Sequence, residues 1–207
     1  MIKFAHLVCA TILSSSATSG ILLADSSYRL QVGSVLPDIT VAGEHGGSVT
    51  DGGAWASHSM QGHLHFVVYV DPDDANLNND LTERLDAEKY PEGDLDSVAL
   101  INLAASWKPN ALIMSVLRGK QKEYPLTTYV FDKDKYVAQQ WDLIPEGFHV
   151  LLIDANGKLI FEKAGQFSKQ ETDSFLALVK EEVSKNRAKN RMSSAEKTGE
   201  GETKKSL

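Results

Sequence analysis

Apolar runs that alternate with helical patterns constrain the fold of this chain more than any other feature. Residues 63–70, 97–103 and 127–131 are rich in β-branched and aromatic side chains, which predicts buried strands. Between them, residues 75–89 and 110–122 carry apolar side chains at three- and four-residue spacing, which predicts helices. Strands separated by helices pair in parallel through right-handed crossovers. The sequence therefore predicts an α/β core.

A hairpin and a further helix complete the predicted domain. Residues 148–153 and 158–162 flank an Asn-Gly pair at 156–157, a turn signal that predicts two antiparallel strands. Ser168 and Glu171 form a capping-box pattern, which predicts that the last helix begins there. We therefore expect a thioredoxin-like three-layer sandwich, in which a central mixed β-sheet is flanked by helices.

The N-terminus carries the pattern of a secretory signal peptide. A basic start, an apolar run and a series of small residues occupy residues 1–24, and the apolar run of about ten residues is too short for a membrane anchor. Ala17, Ser19 and Ala24 are alternative cleavage points. Cleavage would remove Cys9, the only cysteine, and Lys3, which changes the formal charge from −7 to −8. We expect a periplasmic mature protein without thiol chemistry.

The remaining chain divides into a folded domain and a tail. We expect the domain over residues 28–185 and a disordered, charged tail over residues 186–207, where large apolar residues are scarce. The acidic balance argues against nucleic acid or an anionic membrane as the main partner. We also expect no stable membrane insertion after cleavage.

An acidic run follows the first predicted strand and offers one candidate site. Oxygen-bearing side chains are dense in residues 71–80, and the candidate ligands among them are Asp71, Asp73, Asp74, Asn76, Asn78 and Asp80. Read as a calcium loop from Asp74, the run has Asn79 where glycine is needed and Leu85 where a bidentate glutamate is needed. The alternative is that these side chains cap the N-terminus of the following helix.

Histidines offer the second candidate site. His63 and His65 are two residues apart on a strand and project from one face, a spacing that suits zinc or copper, and His58 lies nearby in sequence. The alternative is that they are ordinary histidines near the beginning of a strand. Trp55, Trp107 and Trp141 are expected to pack in the core or at its rim. On this evidence we nominate no catalytic residue, no cofactor and no metal ligand.

Several segments resemble the thioredoxin and peroxiredoxin superfamily. They are residues 33–41, with a Gly-x-x-x-Pro-Asp turn, and residues 153–158. More narrowly, Trp55, Trp141 and the acidic run resemble the YtfJ family of bacterial periplasmic proteins, which implies a thioredoxin-like fold with no assigned activity.

The resemblance also locates a missing redox site. Active thioredoxins carry Cys-x-x-Cys where this chain has residues 71–76, and a cis-proline where it has residues 146–149. The nearest proline, Pro145, comes too early. The resemblance therefore implies a redox-inactive domain.

Two functions follow as hypotheses. We expect an exported, redox-inactive accessory factor that binds a protein or peptide of the cell envelope. The alternative is a metal- or small-ligand-handling module or enzyme that uses His58, His63 and His65 or the 71–80 loop. The sequence leaves the oligomeric state open.

Overall fold

The computed structural model describes residues 30–203 of the chain, with side-chain surroundings for residues 30–192. The predicted signal peptide and Cys9 lie outside the described residues. The elements occur in the order β1 Thr40–Val41, β2 Gly46–Ser48, β3 Trp55–Ala56, a 3₁₀ turn Ser57–Met60, β4 His65–Val70, α1 Asn79–Ala87, β5 Asp96–Asn102, α2 Asn110–Glu123, β6 Thr127–Asp132, α3 Tyr136–Trp141, β7 Phe148–Ile153, β8 Leu159–Ala164 and α4 Lys169–Thr203.

Six of the strands form one mixed sheet in the order β2-β6-β5-β4-β7-β8. β4, β5 and β6 are parallel neighbours, while β7, β8 and β2 join antiparallel. The short strands β1 and β3 pair separately. The predicted order of strands and helices is confirmed, including the crossovers through α1 and α2.

Each face of the sheet is covered by its own apolar cluster. Side chains alternate between the faces along each strand, so Phe66 and Val70 belong to one cluster while Val67 and Tyr69 belong to the other. α1, α2 and α4 pack on the first face, whereas α3 and the segment around β1 and β3 cover the second. The predicted three-layer arrangement is therefore present.

The β7–β8 hairpin forms where the Asn-Gly pair predicts it. Gly157 takes a positive φ of 76°, but Asn156 does not, so only one residue of the pair uses the left-handed region. The Asp154 carboxylate accepts hydrogen bonds from the backbone N–H groups of Asn156 and Lys158, at 2.8 and 2.9 Å. The turn therefore depends on aspartate as much as on glycine.

α4 begins with the predicted capping box. The Ser168 backbone N–H donates to Glu171 Oε2 at 2.8 Å, and the Glu171 N–H donates to Ser168 Oγ at 3.3 Å. The helix then continues to Thr203, through most of the segment that was expected to be disordered. Scarcity of burial predicts disorder there, but the helical backbone of α4 continues through residues 186–203. Val183 is the last α4 side chain in the core cluster.

Several short elements were not predicted, among them β2 and α3. β2 lies within the glycine-rich residues 43–53 and extends the sheet beside β6. Gly46 is required there, because a Cβ on it would lie 1.9 Å from the Phe131 carbonyl oxygen. The short helix α3 also lacks a sequence signal. No helix within the described residues is both long and apolar enough to cross a bilayer.

Candidate functional site

The carboxyl ends of the three parallel strands meet at one edge of the sheet. β4 ends at Val70, β5 at Asn102 and β6 at Asp132, while the antiparallel β7 begins beside them at Phe148. Ligands of open α/β sheets bind at this edge, because the loops that leave the strands converge there. We refer to it as the carboxyl edge, and it contains the acidic run.

The acidic run does not fold as a calcium loop. Asp71 is buried, and its carboxylate accepts the N–H of Asp73 at 2.8 Å within a tight turn. Asn78 is also buried: its Nδ2 donates to the Gly165 carbonyl at 3.1 Å, and its Oδ1 accepts the Phe167 N–H at 2.8 Å. Asn78 therefore fastens the β8–α4 connection to the start of α1.

The helix-capping alternative is also wrong for α1. That helix begins at Asn79, four residues later than predicted, and no side chain caps its N-terminus. Asp80 instead approaches Arg84 at 3.5 Å one turn along the helix. The acidic run thus provides local turns, a tertiary link and an ion pair in place of one shared site.

Asp73 joins the loop after β4 to the loop after β5. Its carboxylate accepts the Ser106 hydroxyl at 3.1 Å and the Lys108 ammonium group. The hydrogen bond from Lys108 lowers the pKa of Asp73, and Ser106 adds to this effect. Between these two residues Trp107 is 84% exposed. The carboxyl edge therefore presents an indole beside a carboxylate whose charge is already paired.

A row of buried polar side chains lies beneath this surface, on the sheet face that α3 covers. Asn102 Nδ2 donates to the Pro145 carbonyl at 2.5 Å, and its Oδ1 accepts the Ala104 N–H at 3.1 Å. Asp132 accepts the N–H groups of Tyr136 and Val137, both at 2.9 Å, so it anchors the first turn of α3. Burial raises the pKa of Asp132.

Two further members of the row are incompletely bonded. Tyr69 and His149 face each other across β4 and β7, and the Tyr69 hydroxyl and His149 Nδ1 are both buried without a hydrogen bond among the described residues. His149 Nε2 contacts the Ile144 carbonyl oxygen at 3.0 Å, while Glu162 Oε1 lies 3.5 Å from Nδ1. Burial, together with the nearby Asp132 carboxylate, raises the pKa of Tyr69.

Sequence reasoning missed this row, although a signal was present. Asn102 and Asp132 each end a strand directly after a run of apolar residues, and His149 interrupts an apolar run. Polar residues at such positions must find partners once they are buried.

The structure brings two of the three candidate histidines together. The His63 and His65 rings are 6.5 Å apart and nearly parallel, while His58 is exposed in the 3₁₀ turn. His63 Nδ1 lies 2.7 Å from Asp96 Oδ2, and the burial of His65 lowers its pKa. Within residues 30–203, no three His, Cys, Asp or Glu side chains converge in an arrangement that could hold a metal ion.

The tryptophans divide between core and surface. Trp55 and Trp141 are 6% and 1% exposed, and the Trp141 indole N–H donates to the Pro37 carbonyl at 3.0 Å. Packing was the correct prediction for these two and the wrong one for Trp107.

Comparison with solved structures identifies the fold as thioredoxin-like. The chain is similar to the thioredoxin domain of a thiol-disulfide oxidoreductase from Bacteroides vulgatus, with 16% identity, a TM-score of 0.51, and coverage of 72% of this chain and 99% of that one. It is also similar to an exposed lipoprotein thioredoxin from Streptococcus pneumoniae, with 14% identity, a TM-score of 0.50 and coverage of 70% and 99%. A thiol peroxidase from Chromobacterium violaceum matches with 13% identity, a TM-score of 0.53 and coverage of 74% and 87%.

Sequence comparison gives one family. The model of a family described as "Bacterial protein of unknown function (YtfJ_HI0045)" matches residues 37–182, which include every strand from β1 to β8. No curated protein matches the chain. The predicted thioredoxin-like fold and the predicted family are both confirmed.

Proposed function

The chain belongs to the YtfJ_HI0045 family of bacterial proteins of unknown function, and we propose that it is an exported, redox-inactive thioredoxin-like protein that binds a protein or peptide at its carboxyl edge. The observation that carries this proposal is the chemistry of that edge. Residues 71–76 occupy the place of the redox motif and contain no cysteine. The single cysteine of the chain, Cys9, belongs to the predicted signal peptide.

The side chains at this edge favour binding over thiol chemistry. Asp73 is held by Ser106 and Lys108, so the two loops are fixed relative to each other. Fixed loops lose little conformational entropy when a partner binds. Trp107 offers a large exposed ring between them, and tryptophan is enriched among the residues that dominate binding energy at interfaces.

Site-directed photo-crosslinking in the cell envelope tests the proposal. A photoreactive residue at Asn76, which is exposed on the carboxyl edge, should capture a reproducible protein that mass spectrometry can identify. Glu92 is the matched control, because it is also exposed but lies just before β5, at the opposite end of the parallel strands. Equal capture from both positions, or none from Asn76, would contradict binding at this edge.

A second assay tests the redox part separately. The exported protein should neither reduce insulin disulfides nor consume peroxide above the buffer rate. Activity in either assay would refute redox inactivity whatever the crosslinking result.

A further inference from the structure

The outward side of α2 carries apolar residues that a monomer would ordinarily bury. Leu112 and Val116 are each 56% exposed, and they lie one turn apart on the same side of the helix. Trp107, 84% exposed, comes just before α2, and Leu126, 67% exposed, comes just after it. Ile113 and Leu117 of the same helix pack in the core. α2 therefore has one apolar side that is buried and another that is exposed.

Positive charge accompanies these side chains. Residues 106–126 contain Lys108, Arg118, Lys120 and Lys122 against Glu123, a formal charge of +3, whereas the whole chain carries −7. The rest of the chain therefore carries −10. Arg118 and Lys122 make no ion pair within the described part of the chain, so their charge is available to a partner.

This combination matches the chemistry of an anionic lipid surface. A helix that lies in a membrane interface presents Trp and Leu to the acyl boundary and Lys or Arg to the head groups. We infer that α2 docks this protein peripherally on a membrane containing anionic phospholipid, with Leu112 and Val116 at the interface and Arg118 and Lys122 against the head groups.

The distribution of charge explains why the net charge of the chain does not predict whether it binds an anionic membrane. The acidic total opposes approach to an anionic surface in most orientations, but Arg118 and Lys122, which make no ion pair among the described residues, favour the orientation with α2 towards that surface. The attraction acts over about 10 Å at 0.1 M salt, so it is local to the face that touches the membrane. Docking of this kind is peripheral and relies on Arg118 and Lys122, which the carboxyl edge does not use, although Trp107 borders both surfaces.

Vesicle binding tests the inference. The protein is purified after export, and every variant is prepared in the same form, so that the N-terminal segment contributes equally to each. Vesicles of phosphatidylglycerol and phosphatidylcholine at 3:7 should sediment the protein, and pure phosphatidylcholine vesicles should not. Trp107 reports contact by a blue shift of its emission, because Trp55 and Trp141 are already buried.

Variants separate the contribution of the cations to vesicle binding from that of the apolar side chains. Each cation removed should weaken binding roughly fivefold, so R118E/K122E should abolish sedimentation at micromolar protein, and 0.5 M salt should do the same. L112S/V116S should weaken binding without unfolding the protein, since both side chains are exposed. K189E/R191E is the matched control, with the same charge change on an exposed part of α4.

Three results would overturn the inference. They are the absence of sedimentation with anionic vesicles, equal loss of binding in K189E/R191E, and undiminished binding in R118E/K122E. If L112S/V116S instead reduced the capture of an envelope protein while vesicles bound nothing, the α2 face would be a protein interface. Loss of crosslinking at Asn76 alone would concern the carboxyl edge and leave lipid binding intact.

Discussion

Asn78 provides the most direct test of how the acidic run is used, because the calcium-loop and structural interpretations predict different behaviour. In the structure its side chain is 4% exposed and satisfies both the Gly165 carbonyl and the Phe167 N–H. Asn78→Ala removes the side-chain amide, so the Gly165 carbonyl loses its donor and the Phe167 N–H loses its acceptor. A buried backbone group left without a partner costs about 1–3 kcal/mol. Since the Gly165 carbonyl is only partly buried, we expect a total loss of about 3 kcal/mol.

Urea unfolding followed by tryptophan fluorescence measures this loss. The midpoint should fall while the slope stays constant, because the surface exposed on unfolding does not change. A domain of this size loses about 2–4 °C in Tm per kcal/mol, which predicts a decrease of about 6–12 °C. Calcium should not alter the difference between Asn78→Ala and the unmodified protein.

Two further variants make the test specific. Asn78→Asp keeps an acceptor for the Phe167 N–H but presents a carboxylate oxygen to the Gly165 carbonyl, so it should not restore stability. Asn76→Ala, exposed in the same run, should change the unfolding free energy by less than about 0.5 kcal/mol. An Asn78→Ala loss as small as that of Asn76→Ala, or one seen only with calcium present, would refute the structural role.

Three other variants test the core, the capping box and the sheet edge. Trp141→Phe should lower the unfolding free energy by about 2 kcal/mol in urea, because the Pro37 carbonyl loses its donor, whereas Trp107→Phe should have almost no effect. An equal effect of the two would contradict the assigned burial. Glu171→Gln should be less stable than the unmodified protein at neutral pH. The hydrogen bond that the Glu171 carboxylate accepts from the Ser168 N–H, together with Lys163, lowers the pKa of Glu171 from the ordinary 4.5 to about 2. The stabilisation is therefore complete above pH 4.5 and disappears as the pH falls towards 2. A difference between the two proteins that stays constant from pH 7 to pH 2 in guanidinium titrations would contradict this cause. Gly46→Ala should lower the free energy of unfolding by roughly 3 kcal/mol in a thermal experiment, because the new Cβ clashes with the Phe131 carbonyl. Gly52→Ala has open space around it and should lower that free energy by only roughly 1 kcal/mol. Equal losses would contradict the close approach of β2 to β6.

The parts of the fold that were predictable are those specified by contiguous residues. β4 and β5 are apolar runs whose burial needs no distant information, and the Ser168–Glu171 capping box closes within one turn of helix. α3 was unpredictable for the opposite reason. It has six residues, and the carboxylate that anchors its first turn, Asp132, is the last residue of β6. Its stability comes from the sheet edge more than from its own sequence.

The sequence showed where the acidic run lies along the chain but not the contacts that it makes. The order of the elements placed residues 71–76 directly after a predicted strand, and the absence of cysteine there was visible at once. The link between Asp73 and Lys108 was not, because these residues are 35 positions apart and meet only when β4 and β5 pair in parallel. The Tyr69–His149 pair likewise depends on the β4–β7 register.

The pairing of charges at the carboxyl edge also determines what kind of recognition we expect there. Asp71 binds a backbone N–H within its own turn, and Asp73 is neutralised by Lys108, so neither carboxylate is available to attract a cationic partner. Binding at this edge should therefore depend on Trp107 and on hydrogen bonds, and should change little with ionic strength. Docking through α2 depends on Arg118 and Lys122, which make no ion pair within residues 30–192, and salt should weaken it strongly. Because salt should weaken vesicle binding and leave binding at the carboxyl edge almost unchanged, salt titration of crosslinking at Asn76 and of vesicle sedimentation distinguishes the two interactions.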